Sequence, residues 1–313
     1  MQATMKITNI NWDNLRLFLA VARAESAQEA ARRIDIDHST LTRRIHRLEQ
    51  EIGAQLFSRT SIGHQLTPAG QQFLQYIDRV ENTLVLAEAE IGGGSNALTG
   101  PVRLGATDGF GSYFIAPHLT RFCDQHPKIG VELIAAPRFV NLSKREADLA
   151  INIERPHGNS DVVCKLSDYR LRLYATREYL AKSPPIHSAH DLEVHRLIGY
   201  VDELAFSPEL GWLRKLAPNA FTPLRSTSIV AQYIAARQGR GLAVLPCYLA
   251  AEDPKLFPVL KDDIDIVRTF WLAAPAERRK LAKVQALWNF LKAVVVANQP
   301  LLMGEATATK WID

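Results

Sequence analysis

The 313-residue sequence predicts an all-α N-terminal module, then one long helix, then a larger α/β region. Three observations lead to this prediction. Apolar residues recur at helical spacing up to about residue 52, and a regular four-three repeat of apolar residues runs from 73 to 91. Beyond the glycines at 92–94, short apolar strands alternate with helices, which is the pattern of a doubly wound α/β domain. The chain length fits two or three domains.

The first module centres on two short helices that meet at a tight corner. Ser26 is an N-cap residue in front of the first helix, whose apolar stripe consists of small residues that allow close packing. Asp37 caps the second helix, and Gly53 stands where a C-cap is expected. The second helix is expected to bury the side on which apolar residues are spaced four, three and four: Leu41, Ile45, Leu48 and Ile52.

The opposite side of the second helix carries hydroxyl, imidazole and guanidinium groups. Such a surface suits the major groove of DNA, where Arg can donate two hydrogen bonds to guanine and small polar groups reach other base edges. A solvated basic face on an ordinary helix pair explains the same pattern. The residues on this side are His38, Ser39, Thr40, Arg43, Arg44 and Arg47.

A long helix is predicted from Pro68 to Ile91, because Thr67 supplies a capping hydroxyl and Pro68 suits the first helical position. At about 1.5 Å per residue it would be roughly 36 Å long. Its apolar residues are spaced as in a coiled-coil seam, so we expect the helix to pair with the same helix of a second copy. Packing on the chain's own second domain is the alternative. The expected dimerisation residues are Phe73, Ile77, Val80, Leu84, Ala87 and Ile91.

Three glycines predict a hinge after this helix. Two α/β units follow, and the strand at 267–274 is expected to return to the first of them. The helix predicted at 276–296 completes the fold, and residues 298–313 are predicted to form a loose tail. The other predicted strands are 102–106, 129–135, 148–151, 171–175, 197–201, 224–226 and 242–245, with helices at 109–125, 141–145, 208–216 and 228–238.

Ligands of open α/β sheets bind where strands end and helices begin. Helix N-termini favour an anionic ligand, which Arg138 would hold as well. Asp108 would repel an anion, so it indicates a ligand with an amine or several hydroxyls, or it is a helix cap without a ligand role. Tyr200 is expected to be partly core. The expected ligand-binding residues are Thr107, Asp108, Gly109, Phe110, Arg138, Tyr200, Thr227 and Ser228.

Several runs of the N-terminal 70 residues resemble the winged helix-turn-helix of LysR-type transcriptional regulators. The sequence departs from that pattern at Glu25-Ser26-Ala27, where the family has Gly-Ser-Phe, and at Asp37-His38, where it has Ser-Gln. The second departure bears on base preference, because His38 is expected to face the groove. The matching runs are WDNLRLFLAVA from Trp12, Ala30-Ala31, LTRRI from Leu41, Leu48-Glu49, Gly53, Leu56-Phe57, Arg59-Thr60 and LTPAG from Leu66.

The remainder resembles the LysR effector-binding domain through weaker motifs such as LTGPVRLGAT, RLYATREYL and AARQGRGLAVLP. This resemblance implies two periplasmic-binding-protein-like lobes with a cleft between them. The implied boundaries are 1–67 for the winged helix-turn-helix, 68–92 for the linker helix and 93–313 for the effector domain. Within it, lobe I spans about 98–168 and 272–298, and lobe II about 169–271.

The resemblance implies a sequence-specific regulator that responds to a small-molecule effector and binds double-stranded promoter DNA. It also implies a homodimer or homotetramer and RNA polymerase as a partner. We expect base contacts from His38, Ser39, Thr40 and Arg43, and phosphate contacts from Thr42, Arg44, Arg47 and Arg59. His64 is a weaker candidate for a phosphate contact, beside Arg59 in the wing.

Other classes of protein fit less well. No Gly-x-Ser-x-Gly, His-Glu-x-x-His or phosphate-loop motif is present, so no catalytic residues are expected. His187, His190 and His195 cluster without a carboxylate at metal spacing, and no metal or cofactor is expected. The absence of a signal peptide or an apolar run of about 18 residues predicts a cytoplasmic protein that makes no membrane contact, not an exported solute-binding protein. The three cysteines are sparse, and buried thiols are favoured over redox sensing by Cys123 and Cys164.

Overall fold

The computed structural model describes residues 10–24, 26–60, 63–91, 98–142, 146–156 and 161–312. The chain divides near Gly92 into two compact units, and each is described by itself. Of the predicted DNA contacts, the side chain of Arg59 lies outside the described part, as does that of His64. No helix in the described ranges combines the length and the apolar character that crossing a bilayer requires.

The first unit contains three short helices, a two-stranded wing and the long helix. The strands pair antiparallel, with Phe57 opposite Leu66. The elements are α1 Trp12–Arg23, α2 Ala27–Arg33, α3 His38–Ile52, β1 Phe57–Thr60, β2 Gly63–Leu66 and α4 Pro68–Ile91.

The predicted helix ends have the expected chemistry. The Ser26 hydroxyl accepts a hydrogen bond from the Glu29 backbone N–H at 3.1 Å, and the Asp37 carboxylate accepts one from the Ser39 N–H at 2.7 Å. Gly53 ends α3 with φ +76°, a conformation that costs glycine little. Ser26 therefore fixes the start of α2, Asp37 the end of the corner between α2 and α3, and Gly53 the end of α3.

The core of the first unit also includes the start of α4. Phe18 is fully buried and packs edge-on against Phe73, with ring centroids 5.0 Å apart. Ile77 belongs to the same buried cluster. The seam prediction is therefore wrong for Ile77, which the chain's own helices bury, whereas Phe73 is only partly covered by them. Among the other seam residues, the exposed fraction is 57% at Leu84 and 89% at Ile91.

The second unit is built on one continuous path of hydrogen-bonded strands, in the order β4-β3-β5-β11-β6-β9-β7-β8, with β10 also paired to β6. A π-helical turn at Phe110–Ile115 leads into α5. The strands are β3 Gly100–Thr107, β4 Ile129–Ala136, β5 Leu149–Asn152, β6 Asp161–Thr176, β7 Arg196–Gly199, β8 Phe221–Arg225, β9 Leu242–Pro246, β10 Leu256–Val259 and β11 Ile266–Pro275. The helices are α5 Ala116–Gln125, α6 Arg177–Lys182, α7 Trp212–Leu216, α8 Ile229–Ala236, α9 Cys247–Ala250, α10 Ala282–Ala297 and α11 Gln299–Leu302.

Two long strands run through both halves of this unit. β6 and β11 pair antiparallel from Leu171 opposite Ile266 to Asp161 opposite Pro275. At one end β11 pairs with β5, so β3, β4 and β5 form lobe I with it. At the other end β6 pairs with β9, so β7, β8 and β9 form lobe II. Only the last part of β6 was predicted as a strand.

Two local predictions fail in this unit. The predicted helix at 208–216 is a 3-10 turn at Pro208–Leu210 followed by the short α7. Of the helix predicted at 141–145, Asn141 and Leu142 are not helical, and 143–145 lie outside the described residues.

The C-terminal segment is docked, so the prediction of a loose tail is wrong. Leu301 and Leu302 are buried, and the Asn298 side chain exchanges two hydrogen bonds with the Lys310 backbone at 2.7 and 2.8 Å. Trp311 lies against the buried His118, with ring centroids 4.9 Å apart. Burying two leucines and pairing the backbone polar groups offsets the entropy cost of ordering the segment.

His118 should make the stability of the fold depend on pH. Burial lowers the pKa of His118 from 6.5 to about 4. Above pH 6.5 neither state holds a proton there. As the pH falls towards 4, the unfolded chain binds a proton and the folded chain does not, which favours unfolding by about 3 kcal/mol in total.

Urea unfolding of wild type and His118→Phe across this pH range measures the effect. The variant keeps an aromatic ring beside Phe114, 5.2 Å from His118 in the wild type. We expect the wild type to lose stability relative to the variant as the pH falls. Parallel curves for the two proteins would contradict the assignment.

Candidate functional site

The exposed side of α3 carries most of the residues that were predicted to contact DNA. Leu41, Ile45 and Leu48 are buried, and His38, Ser39, Arg43 and Arg47 are exposed, with Thr40 partly so. Two further residues that we had not predicted share this side: His46 and Gln50, 3.3 Å apart. Their helical spacing from Ser39 and Arg43 was a usable signal.

Two hydroxyl groups near the exposed side of α3, those of Ser39 and Thr42, already donate their protons. Ser39 Oγ donates to the Asp37 carboxylate at 2.5 Å, and Thr42 Oγ1 donates to the His38 carbonyl at 2.9 Å. The same hydrogen bonds from Ser39 lower the pKa of Asp37. Ser39 and Thr42 can therefore meet a ligand only as acceptors in this geometry.

The three guanidinium groups of α3 differ in what they contact. Arg47 Nε lies 3.0 Å from the Glu51 carboxylate, one turn along the helix. Arg44 donates to the Asp13 carboxylate on α1. Within the described residues Arg43 takes part in no ion pair, so its full donor fork is available to a ligand.

A cleft lies between the two lobes of the second unit. Four of the predicted ligand residues line it: Thr107, Asp108, Tyr200 and Thr227. The cleft is narrow, with a free volume of about 50 Å³. The other lining residues are Pro137, Ile153, Tyr169, Leu171, Phe206, Leu210, Leu213, Ile229, Gln232, Val244, Pro246, Tyr248, Arg268 and Phe270.

One helical segment of each lobe contacts the other beside the cleft. Ser228 caps α8 through the Ala231 N–H, and its hydroxyl donates to the Asp108 carboxylate across the cleft. A Tyr113–Tyr233 ring pair follows, with centroids 5.4 Å apart. The two segments lie side by side, since a Cβ on Gly109 would stand 2.5 Å from Ile229 Cγ2.

The remaining predicted ligand residues do not line the cleft. Arg138 is wrong as a ligand clamp, because its guanidinium pairs with the Glu146 carboxylate at 2.7 Å. Phe110 is buried beneath the cleft, with its ring 3.9 Å from that of Phe270. Gly109 and Ser228 instead form contacts between the two lobes beside the cleft.

The cleft wall contains groups that the sequence analysis missed. Tyr169 and Arg268 face each other across the β6–β11 pair, and Tyr248 follows β9. Burial raises the pKa of Tyr200 and of Tyr248 above the usual tyrosine range, and nearby Tyr169 and Asp108 raise both pKa values further. These phenols therefore stay protonated, so each retains a neutral O–H in a mainly apolar wall.

A three-helix unit with a wing and an exposed basic helix, joined to two lobes around a cleft, defines the class of ligand-responsive DNA-binding regulators. A family model of the bacterial regulatory helix-turn-helix protein, lysR family, matches residues 12–71. A model of the LysR substrate binding domain matches residues 95–295. The chain belongs to the LysR family of transcriptional regulators. It is thus a sequence-specific DNA-binding regulator whose activity is modulated by a small-molecule effector.

Curated relatives and solved structures agree with the family. The HTH-type transcriptional regulator PtxR of Pseudomonas aeruginosa is 28% identical over 256 residues, which cover 80% of this chain and 81% of PtxR. ArgP from Mycobacterium tuberculosis has the same fold, with a TM-score of 0.63 at 19% identity, covering 91% of this chain and 97% of ArgP. Full-length LysG of Corynebacterium glutamicum, solved with bound effector Arg, gives a TM-score of 0.58 at 18% identity and covers 90% and 98% of the two chains.

Gly109 should be required for the close packing of the two lobes at Ile229. In Gly109→Ala the new methyl group overlaps Ile229 Cγ2, and such overpacking typically costs about 1–3 kcal/mol of folding free energy. Ile229→Ala removes the obstructing carbon, so the double variant should recover part of the loss. Urea unfolding of the four proteins in a double-mutant cycle measures this coupling. Strictly additive losses would show that the two positions do not meet.

Proposed function

We propose that α3 enters the major groove of promoter DNA with Arg43 as its main base contact. The observation that carries the proposal is that Arg43, at the centre of the exposed side of α3, makes no ion pair with the residues that the structure describes. Arg binds guanine through two hydrogen bonds, and acceptor-only hydroxyls suit the amino groups of cytosine and adenine. In this proposal the base contacts come from His38, Ser39, Thr40 and Arg43, and the phosphate contacts from Arg47 and Arg59. Thr42 and Arg44 are left out of the phosphate contacts, because the Thr42 hydroxyl already donates to the His38 carbonyl and Arg44 pairs with Asp13.

The cleft between the lobes is the proposed effector site. Its wall is mainly apolar and narrow, which supports a small effector with an apolar body. Asp108, Arg268 and the phenols of Tyr200 and Tyr248 would fix its polar groups. We further propose action on transcription through RNA polymerase, in the cytoplasm, with no catalytic step.

The second half of α4 is the proposed dimerisation surface. Leu84 and Ile91 are large, exposed apolar residues on this helix; Ala87 lies between them on the same stripe, and Val80 precedes them. Because Ile77 is buried in the first unit and Phe73 packs partly buried against the same cluster, the pairing surface would begin only beyond them. Two modules held in this way would bind two half-sites related by a twofold axis.

Arg43→Ala and Arg47→Ala should separate base contact from phosphate contact. We expect Arg43→Ala to lose about 1–3 kcal/mol on the preferred duplex and to relax sequence choice. Arg47→Ala should weaken binding to all duplexes about equally, because phosphates carry no sequence information. Gel-shift titrations on the promoter beside the protein's own gene and on a scrambled duplex measure both. A sequence-selective loss in Arg47→Ala would reverse its assigned role.

Leu84→Asp should dissociate the proposed dimer. A carboxylate in the seam of each helix places two like charges in an apolar contact, which is unfavourable. Gln75→Asp is the matched control, since it adds the same charge at an exposed position of the same helix outside the seam. Sedimentation equilibrium should show a monomer for Leu84→Asp only. A dimer in both variants would place the contact elsewhere.

A further inference from the structure

The first turn of α1 contacts α3 through one acidic residue, Asp13. The Asn11 side chain caps α1 by accepting a hydrogen bond from the Asp13 backbone N–H at 2.9 Å. The Asp13 carboxylate accepts from Arg44 of α3 through one oxygen and lies 3.3 Å from Arg16 through the other. The side chains of Arg44 and Asp13 are 40% and 42% exposed, so solvent reaches the pair.

This ion pair is not what holds α1 on α3. Leu15, Phe18 and Leu41 are buried between the helices and supply the apolar contact. An exposed ion pair adds little to stability, because water screens the charges and two long side chains lose freedom. Its visible effect is on charge, since the hydrogen bond from Arg44 also lowers the pKa of Asp13 and keeps it anionic.

We propose that Asp13 is a specificity-determining residue that neutralises Arg44 and so limits sequence-independent attraction to phosphates. The inference rests on the proposed DNA binding by α3. Non-specific binding grows with each Lys or Arg that reaches a phosphate, whereas discrimination comes from base edges. The Asp13 carboxylate cancels the charge of Arg44 at the flank of α3, while Arg43 makes no ion pair with the described residues. Non-specific binding is therefore lowered, and discrimination between base sequences is unchanged.

Asp13→Asn tests this with a nearly isosteric change in the full-length chain. Releasing Arg44 to a phosphate should steepen the plot of log K against log salt on a scrambled duplex by about 0.9 for each bound module. Over the tenfold change from about 1 M to about 0.1 M salt, that slope corresponds to roughly an eightfold gain in affinity per module. The ratio of specific to non-specific affinity should fall correspondingly.

Two further variants isolate the cause. Asp35→Asn removes a similar exposed charge from the same module with no ion pair among the described residues, and should leave the slope unchanged. In an Arg44→Ala background, Asp13→Asn should no longer steepen the slope. An equal change in both backgrounds, or weaker binding by Asp13→Asn with an unchanged slope, overturns the inference. Failure of the wild type to bind any duplex would instead overturn the proposed DNA-binding face itself.

Discussion

The antiparallel pairing of β6 with β11 is the constraint on which the second unit depends. Because these strands continue through both lobes, each lobe's sheet is an extension of the same hydrogen-bonded pair. Tyr169 and Phe270 lie on this pair with ring centroids 4.0 Å apart, and Phe110 of lobe I stacks on the other side of Phe270. The floor of the cleft is therefore an aromatic stack to which β6, β11 and lobe I all contribute.

Local sequence signals predicted the helices of the first unit closely. Caps such as Ser26 and Asp37, the C-cap glycine Gly53 and the spacing of buried residues act within a few positions of one another, so they can be read without tertiary information. The seam on α4 shows the limit. Phe73 fits a heptad as well as Leu84 does, but spacing cannot reveal which helix covers a side chain. The fold class was confirmed. Which helix packs against each apolar side chain could not be predicted.

The cleft was only partly predictable for a similar reason. Asp108 and Thr227 were found because they follow strands directly, which is a local feature. Arg268 and Tyr169 come together through the pairing of strands almost a hundred positions apart. The register of that pairing cannot be predicted from the neighbouring residues of either strand. Arg138 was assigned from its position after a strand, but Glu146 engages it from a segment whose path the pattern did not specify.

The hydrogen bond from Ser228 to Asp108 and the packing of Gly109 on Ile229 join the two lobes beside a cleft that has little free room. Any separation of the lobes would first have to break this hydrogen bond and part these two residues. An effector that stabilised a wider cleft would therefore have to supply interactions that offset their loss.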